Sequence, residues 1–104
     1  VIFVGGSGSS VYFNDPDALF LAKKAYEKGK TVAAICIAPS ILANAGVLKG
    51  KRATSFPSEA ENLKNKGVVY TNEGVIVDGK IITAQGPKQA IEFGEKIVEV
   101  LSMG

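Results

Sequence analysis

The sequence predicts an α/β fold built on a mostly parallel sheet, and three observations carry that prediction. Short runs of β-branched and apolar residues alternate with longer amphipathic stretches along the whole chain. Two of the short runs, VIFV at residues 1–4 and TVAAIC at residues 31–36, are continuously apolar, the pattern of strands covered on both faces. Gly, Pro, Asn and Asp punctuate the runs where caps and turns need them.

The elements follow in order. The opening strand, residues 1–4, runs into Gly5-Gly6 and a small-residue loop through Ser10. Asn14 or Asp15 caps a first helix with Pro16 in its first turn, and Gly29 ends it. Ala18, Leu19, Ala22, Ala25 and Tyr26 share the apolar face of that helix. The strand at residues 31–36 leads to a short helix opened by Pro39 and closed by Gly46. Residues 52–56 read as a third strand, stopped by Pro57. Ser58 and Glu61 form a capping box for the next helix, which Gly67 ends. A brief strand covers residues 68–70, and residues 74–77 and 80–84 flank Asp78-Gly79 as a hairpin. After Gly86-Pro87, the last helix places Ala90, Ile91, Gly94, Ile97, Val98 and Leu101 on an inner face. Glu92, Glu95, Lys96 and Glu99 form its wet face. No repeat, low-complexity tract or linker interrupts this order, so residues 1–104 read as a single domain.

Composition narrows the function. Apolar residues make up 46% and charged residues 21%, which excludes a disordered tail or a coiled coil. No apolar run approaches the roughly 18 residues of a membrane span. Twelve Lys and Arg against ten Asp and Glu leave a charge of +2, too slight to imply a nucleic-acid partner. The chain has one Cys, Cys36, and no His. An internal disulfide, the common zinc sites and a Ser-His or Cys-His dyad are therefore all excluded within this chain. No metal or cofactor is called for, and a cytoplasmic protein is expected.

Cys36 is the candidate for chemistry. It ends a buried strand just before a helix, with Ala34 two residues before it and Ala38 two after. That is the spacing of a nucleophile elbow, where small flanks let a strand turn sharply into a helix. The helix N-terminus then favours a thiolate. A lone Cys at a strand end also serves as a small core residue, and spacing alone leaves both readings open. The Gly5-Gly6 pair at the end of the first strand can bring a backbone N–H close to a ligand, and the Ile37 N–H can supply a second oxyanion donor. The Gly-rich loop does not bind phosphate by motif, because it lacks the third Gly of G-x-G-x-x-G. Lys49, Lys51 and Arg52 read as a solvated turn. Glu59, Glu61 and Glu73 are carboxylates with no visible partner for Cys36, and Tyr12, Phe13 and Phe20 are read as core or interface residues.

The stretch from Ala33 through Cys36 to Pro39, followed by LANAGVLKGKR at residues 42–52, resembles the elbow region of the ThiJ/PfpI family. Thr54-Ser55-Phe56-Pro57, the hairpin VDGKIIT at residues 77–83 and Gly86-Pro87 recur in the family's order, and residues 1–6 resemble its strand ending in a Gly pair. The resemblance implies a flavodoxin-like three-layer sandwich related to class I glutamine amidotransferase domains. It implies that Cys36 is the reactive residue, with the backbone N–H groups of Gly6 and Ile37 as oxyanion donors. Protease-like, deglycase and cofactor-free glyoxalase members are all known in the family.

Three departures bear on activity. The position after the Cys, a His in protease-like members, is Ile37. The position before the Pro of the following strand, a His in deglycase-like members, is Phe56. The family's N-terminal β-α-β segment, with the Glu that hydrogen-bonds the Cys, has no counterpart in these residues. The expected function is Cys-dependent chemistry on a small carbonyl or acyl substrate, of glyoxalase, deglycase or hydrolase type. The alternatives are a redox sensor acting through Cys36 oxidation under oxidative stress, or a chaperone-like module. Expected partners are the missing N-terminal segment of the same domain and, by resemblance, further copies in a homo-oligomer.

Overall fold

In the computed structural model, residues 1–5 and 15–102 are described. Six strands and four helices follow one another: β1 (Ile2–Val4), α1 (Pro16–Glu27), β2 (Val32–Ile35), α2 (Pro39–Asn44), β3 (Arg52–Ala53), α3 (Ala60–Asn65), β4 (Val69–Tyr70), β5 (Val75–Asp78), β6 (Ile81–Ala84) and α4 (Ala90–Ser102). Single 3₁₀ turns at Pro57–Glu59 and Pro87–Gln89 precede α3 and α4.

The main sheet has the order β1-β2-β6-β5. β1, β2 and β6 are parallel, and β5 runs antiparallel at one edge. Strand alternation then sends β2 to both sides. Val32 and Ala34 pack with Ala22 and Ala25 of α1 and with Ile41 and Leu42 of α2. Ala33 and Ile35 pack with Ile82, Ala84 and the α4 residues Phe93, Ile97 and Val100. The result is the expected three-layer, flavodoxin-like arrangement. β3 and β4 form a separate parallel pair. It is tied to the main sheet where the Arg52 N–H donates to Asp78 Oδ2 at 2.8 Å and Arg52 Nη2 donates to the Val77 carbonyl at 3.1 Å. No helix of the described residues is long and apolar enough to cross a membrane.

Local chemistry explains both the agreements and the shifts. Asp15 caps α1, its Oδ1 accepting from the Asp17 N–H at 2.8 Å and the Ala18 N–H at 3.3 Å. Asn14, the other capping candidate, lies outside the described residues. Gly29, at φ 72°, closes α1 in a Schellman motif, with the Lys30 N–H on the Ala25 carbonyl and its own N–H on Tyr26. The third strand is shorter than the expected residues 52–56. The Thr54 N–H is taken by Thr83 Oγ1 and the Phe56 N–H by the Cys36 carbonyl, so the chain leaves its partner after Ala53. The capping box at Ser58 does not form. Pro57 opens a 3₁₀ turn, Ser58 Oγ donates to Glu59, and α3 starts at Ala60 without a side-chain cap. The hairpin turn falls one residue later than expected. Asp78 stays in the ladder opposite Ile81, and Gly79, at φ 63°, takes the first loop position.

The largest correction concerns faces. Of the six α4 residues expected inside, only Ile97 is buried, and Phe93 and Val100 complete the inner face instead. Ile91, Val98 and Leu101 face outward. β1, expected to be covered on both sides, is likewise exposed along most of its length.

Candidate functional site

β2 ends at Ile35, and Cys36 follows at φ 65°, the one non-glycine residue with a positive φ among the described residues. An L-residue in that region carries a steric cost of about 1–2 kcal/mol, so neighbouring contacts must hold it there. Three segments do so. The Cys36 N–H donates to the Ala84 carbonyl of β6 at 3.0 Å. The Cys36 carbonyl accepts from the Phe56 N–H at 2.7 Å. On the third side, the Gly5 N–H donates to the Ile35 carbonyl at 3.1 Å. The Ala38 N–H then reaches back to Ile35 and the Ser40 N–H to Ile37, which curls the chain into α2 with Pro39 at its first position.

This places the predicted residues as follows. Cys36 and Ile37 sit together on the turn, both half-buried. The Ile37 N–H has no acceptor among the described residues. Gly6 lies outside the described residues. Its neighbour Gly5 comes so close to the elbow that a Cβ there would stand 2.8 Å from the Ile37 and Ala38 nitrogens. The Gly pair in the sequence marked this approach without showing which residue makes it. Phe56 forms one wall of a cleft of about 270 Å³ beside the elbow, with Pro57, Gln85, Gly86, Pro87, Lys88 and Gln89.

The electrostatics differ from expectation. Cys36 packs against the apolar α4-side core, and burial pushes its thiol pKa up from the ordinary value. Glu59 is engaged away from the thiol, because buried Ser40 Oγ donates to its Oε1 at 2.6 Å. Asn62 Nδ2 in turn donates to Ser40 Oγ and to Asn44 Oδ1, both at 3.2 Å. The network ties α2, which follows the elbow, to the turn that follows Phe56. Sequence spacing offered no signal for it, since its members come from separate segments. Ser40→Ala removes the donor to Glu59 Oε1 and the acceptor of Asn62 Nδ2, leaving only Ser58 Oγ on the carboxylate, so it is expected to cost about 2 kcal/mol in denaturant unfolding. Exposed Ser58→Ala should cost under about 0.5 kcal/mol by the same measurement.

The remaining candidates are peripheral. Lys51 Nζ lies 5.9 Å above the Tyr26 ring, Lys24 Nζ lies 5.6 Å above Phe20, and Arg52 is spent on the β5 contact. Tyr12 and Phe13 lie outside the described residues.

Comparison with known proteins converges on this arrangement. The DJ-1/PfpI family pattern matches residues 1–100. A protein of uncharacterized function from Methanocaldococcus jannaschii is 45% identical over 104 residues, covering 97% of this chain and 51% of its own length. A deglycase of Pyrococcus abyssi is 34% identical over 101 residues, covering 97% of this chain and 61% of its own. The crystal structure of a ThiJ/PfpI domain protein from Brachyspira murdochii superimposes with a TM-score of 0.95 at 30% identity, over 99% of this chain and 61% of that one. The chain therefore spans about half to three-fifths of the length of the proteins it matches.

Proposed function

The chain belongs to the DJ-1/PfpI family, and from that premise we propose that it contributes a cysteine nucleophile to chemistry on small carbonyl or acyl compounds, of deglycase or glyoxalase type. The observation that carries this reading is the positive φ of Cys36, a strained backbone held by three segments where a plain core cysteine needs no strain. Relatives named deglycases support the substrate class. The Cys36 thiolate adds to the carbonyl carbon, and the π electron pair moves onto oxygen as an alkoxide. The Ile37 N–H, with that of Gly6, receives this charge, and water supplies the proton that neutralises it. With no His in the chain, peptide hydrolysis is disfavoured, because an amine leaving group needs a positioned acid.

A redox sensor needs the same thiolate, so burial of Cys36 slows both chemistries at neutral pH and does not rank them. The test is consumption of methylglyoxal by the wild-type chain and by Cys36→Ser. Turnover is expected only in the wild type. Because a raised pKa keeps the neutral thiol dominant until pH passes it, rate and Cys36 alkylation should both climb with pH beyond the range of a free cysteine. Equal turnover by both proteins would refute the reading. Alkylation already complete at neutral pH would refute the environment assigned to Cys36.

A further inference from the structure

Cys36 is held through both its N–H and its carbonyl, by segments that belong to different sheets. Its N–H donates to the Ala84 carbonyl of β6 at 3.0 Å, and its carbonyl accepts from the Phe56 N–H at 2.7 Å. β6 lies in the main sheet, whereas residues 54–56 continue from β3, which pairs with β4 in the separate sheet. Such a pair of bonds fixes the Cys36 backbone only if the two partners are held at a set distance from each other. One side chain makes that connection. Thr83, the residue before Ala84, accepts the Thr54 N–H on its Oγ1 at 2.9 Å. Among the described residues this is the only hydrogen bond between β6 and residues 54–56. Three hydrogen bonds thereby close a ring through Cys36, Ala84, Thr83, Thr54 and Phe56.

The surroundings of Thr83 explain why a hydroxyl is needed there. β6 runs between β2 and β5, so its backbone groups serve two ladders and a link out of the sheet must come from a side chain. Thr83 is fully buried, with Ile82 and Ala84 as its chain neighbours, on the sheet face it shares with Ile81. Val has the same shape and suits a buried strand, and a buried hydroxyl is costly unless it is hydrogen-bonded. Thr54 supplies the contrast. It is also fully buried, but its Oγ1 makes no hydrogen bond among the described residues, so only its backbone N–H belongs to the ring.

We propose that Thr83 is a positioning residue of the elbow, whose hydroxyl ties the two clamps of Cys36 together and holds the thiol in the pose from which it attacks. The role rests on the reading of Cys36 as a nucleophile, and Thr83 acts through the backbone rather than on the substrate. Without the hydroxyl, the Thr54 N–H is left buried with no acceptor. Residues 54–56 then withdraw from β6, and Cys36 relaxes from its φ of 65°. The thiol leaves the α4-side core that it packs against. A released thiol is more accessible to a small alkylating reagent but less well aimed at a carbonyl, so the two reactivities move in opposite directions.

The test is Thr83→Val, with Thr83→Ser as the rescue and Thr54→Val as the control that removes a buried hydroxyl but no bond of the ring. Each variant is first checked for a cooperative unfolding transition. In Thr83→Val, alkylation of Cys36 by iodoacetamide at neutral pH is expected to rise about fivefold or more. Its kcat for methylglyoxal should fall about tenfold or more, with KM within about threefold of wild type. Thr83→Ser and Thr54→Val should stay within about threefold of wild type on both measures. A folded Thr83→Val that keeps wild-type alkylation or wild-type kcat overturns the proposal, and so does a Thr54→Val that behaves like Thr83→Val. A wild type inactive on methylglyoxal removes the function proposed above, while alkylation still decides for or against the ring. If Thr83→Val does not fold, amide exchange in the wild type decides. The Thr54, Phe56 and Cys36 amides are expected to exchange within about fivefold of one another as one opening unit, and a Thr54 amide faster than that overturns the proposal.

Discussion

Gly5→Ala is expected to be the most damaging alanine substitution among the described glycines. The added Cβ would meet the Ile37 and Ala38 nitrogens at 2.8 Å and the Ile35 carbonyl oxygen at 2.9 Å. All three are backbone atoms, so no side chain can swing aside to make room. Either β1 separates from β2, losing the Gly5 bond to Ile35, or the elbow shifts and Cys36 loses its clamps. Overpacking of this kind costs about 3 kcal/mol or more. For a chain of this size that is a fall of roughly 10–20 °C in the unfolding midpoint. Gly29→Ala is the control. Gly29 sits at φ 72° with open space where a Cβ would go, so its cost is conformational strain alone, about 1 kcal/mol. Thermal unfolding of the two variants separates crowding from strain. A Gly5 variant no less stable than the Gly29 variant would mean that the elbow does not depend on this approach.

The fold was legible because two signals agree along most of the chain. Continuous apolar runs marked β1 and β2, and Pro, Asp and Gly fixed the ends of α1. Cys36 was legible as an elbow because small flanking residues are a local requirement. What failed was non-local. The early end of β3 depends on a hydroxyl from β6 and a carbonyl from the elbow, and no window around residues 52–56 contains either. The thiol pKa of Cys36 depends on packing against α4 across the sheet, which strand-to-helix spacing does not report. The face of α4 was misread for a different reason. Its helix is apolar on two sides, and periodicity finds an apolar stripe without saying which neighbour covers it.

Strain at the elbow gives a second large effect, and its sign runs against ordinary experience. Replacing a residue by Gly usually destabilises relative to Ala, because the unfolded chain gains freedom. At Cys36, φ is 65°, a region where an L-residue is crowded and Gly is not. Cys36→Gly is therefore expected to be more stable than Cys36→Ala by about 1 kcal/mol. Both variants lose the sulfur, and Gly also loses the Cβ packing, which works against it, so a Gly advantage reports the backbone. Cys36→Val should fall below Cys36→Ala by a further 2 kcal/mol or so, since a β-branched side chain tolerates this conformation worst. The span of about 3 kcal/mol from Gly to Val is readable in urea denaturation. If Gly ranks at or below Ala, the positive φ is not a stored cost and the case for a held nucleophile weakens. If the order holds, the chain keeps at residue 36 a side chain that its own backbone disfavours. Gly can supply neither the thiol nor the packing against the α4-side core, so the stability given up there marks a side chain held against the preference of its backbone.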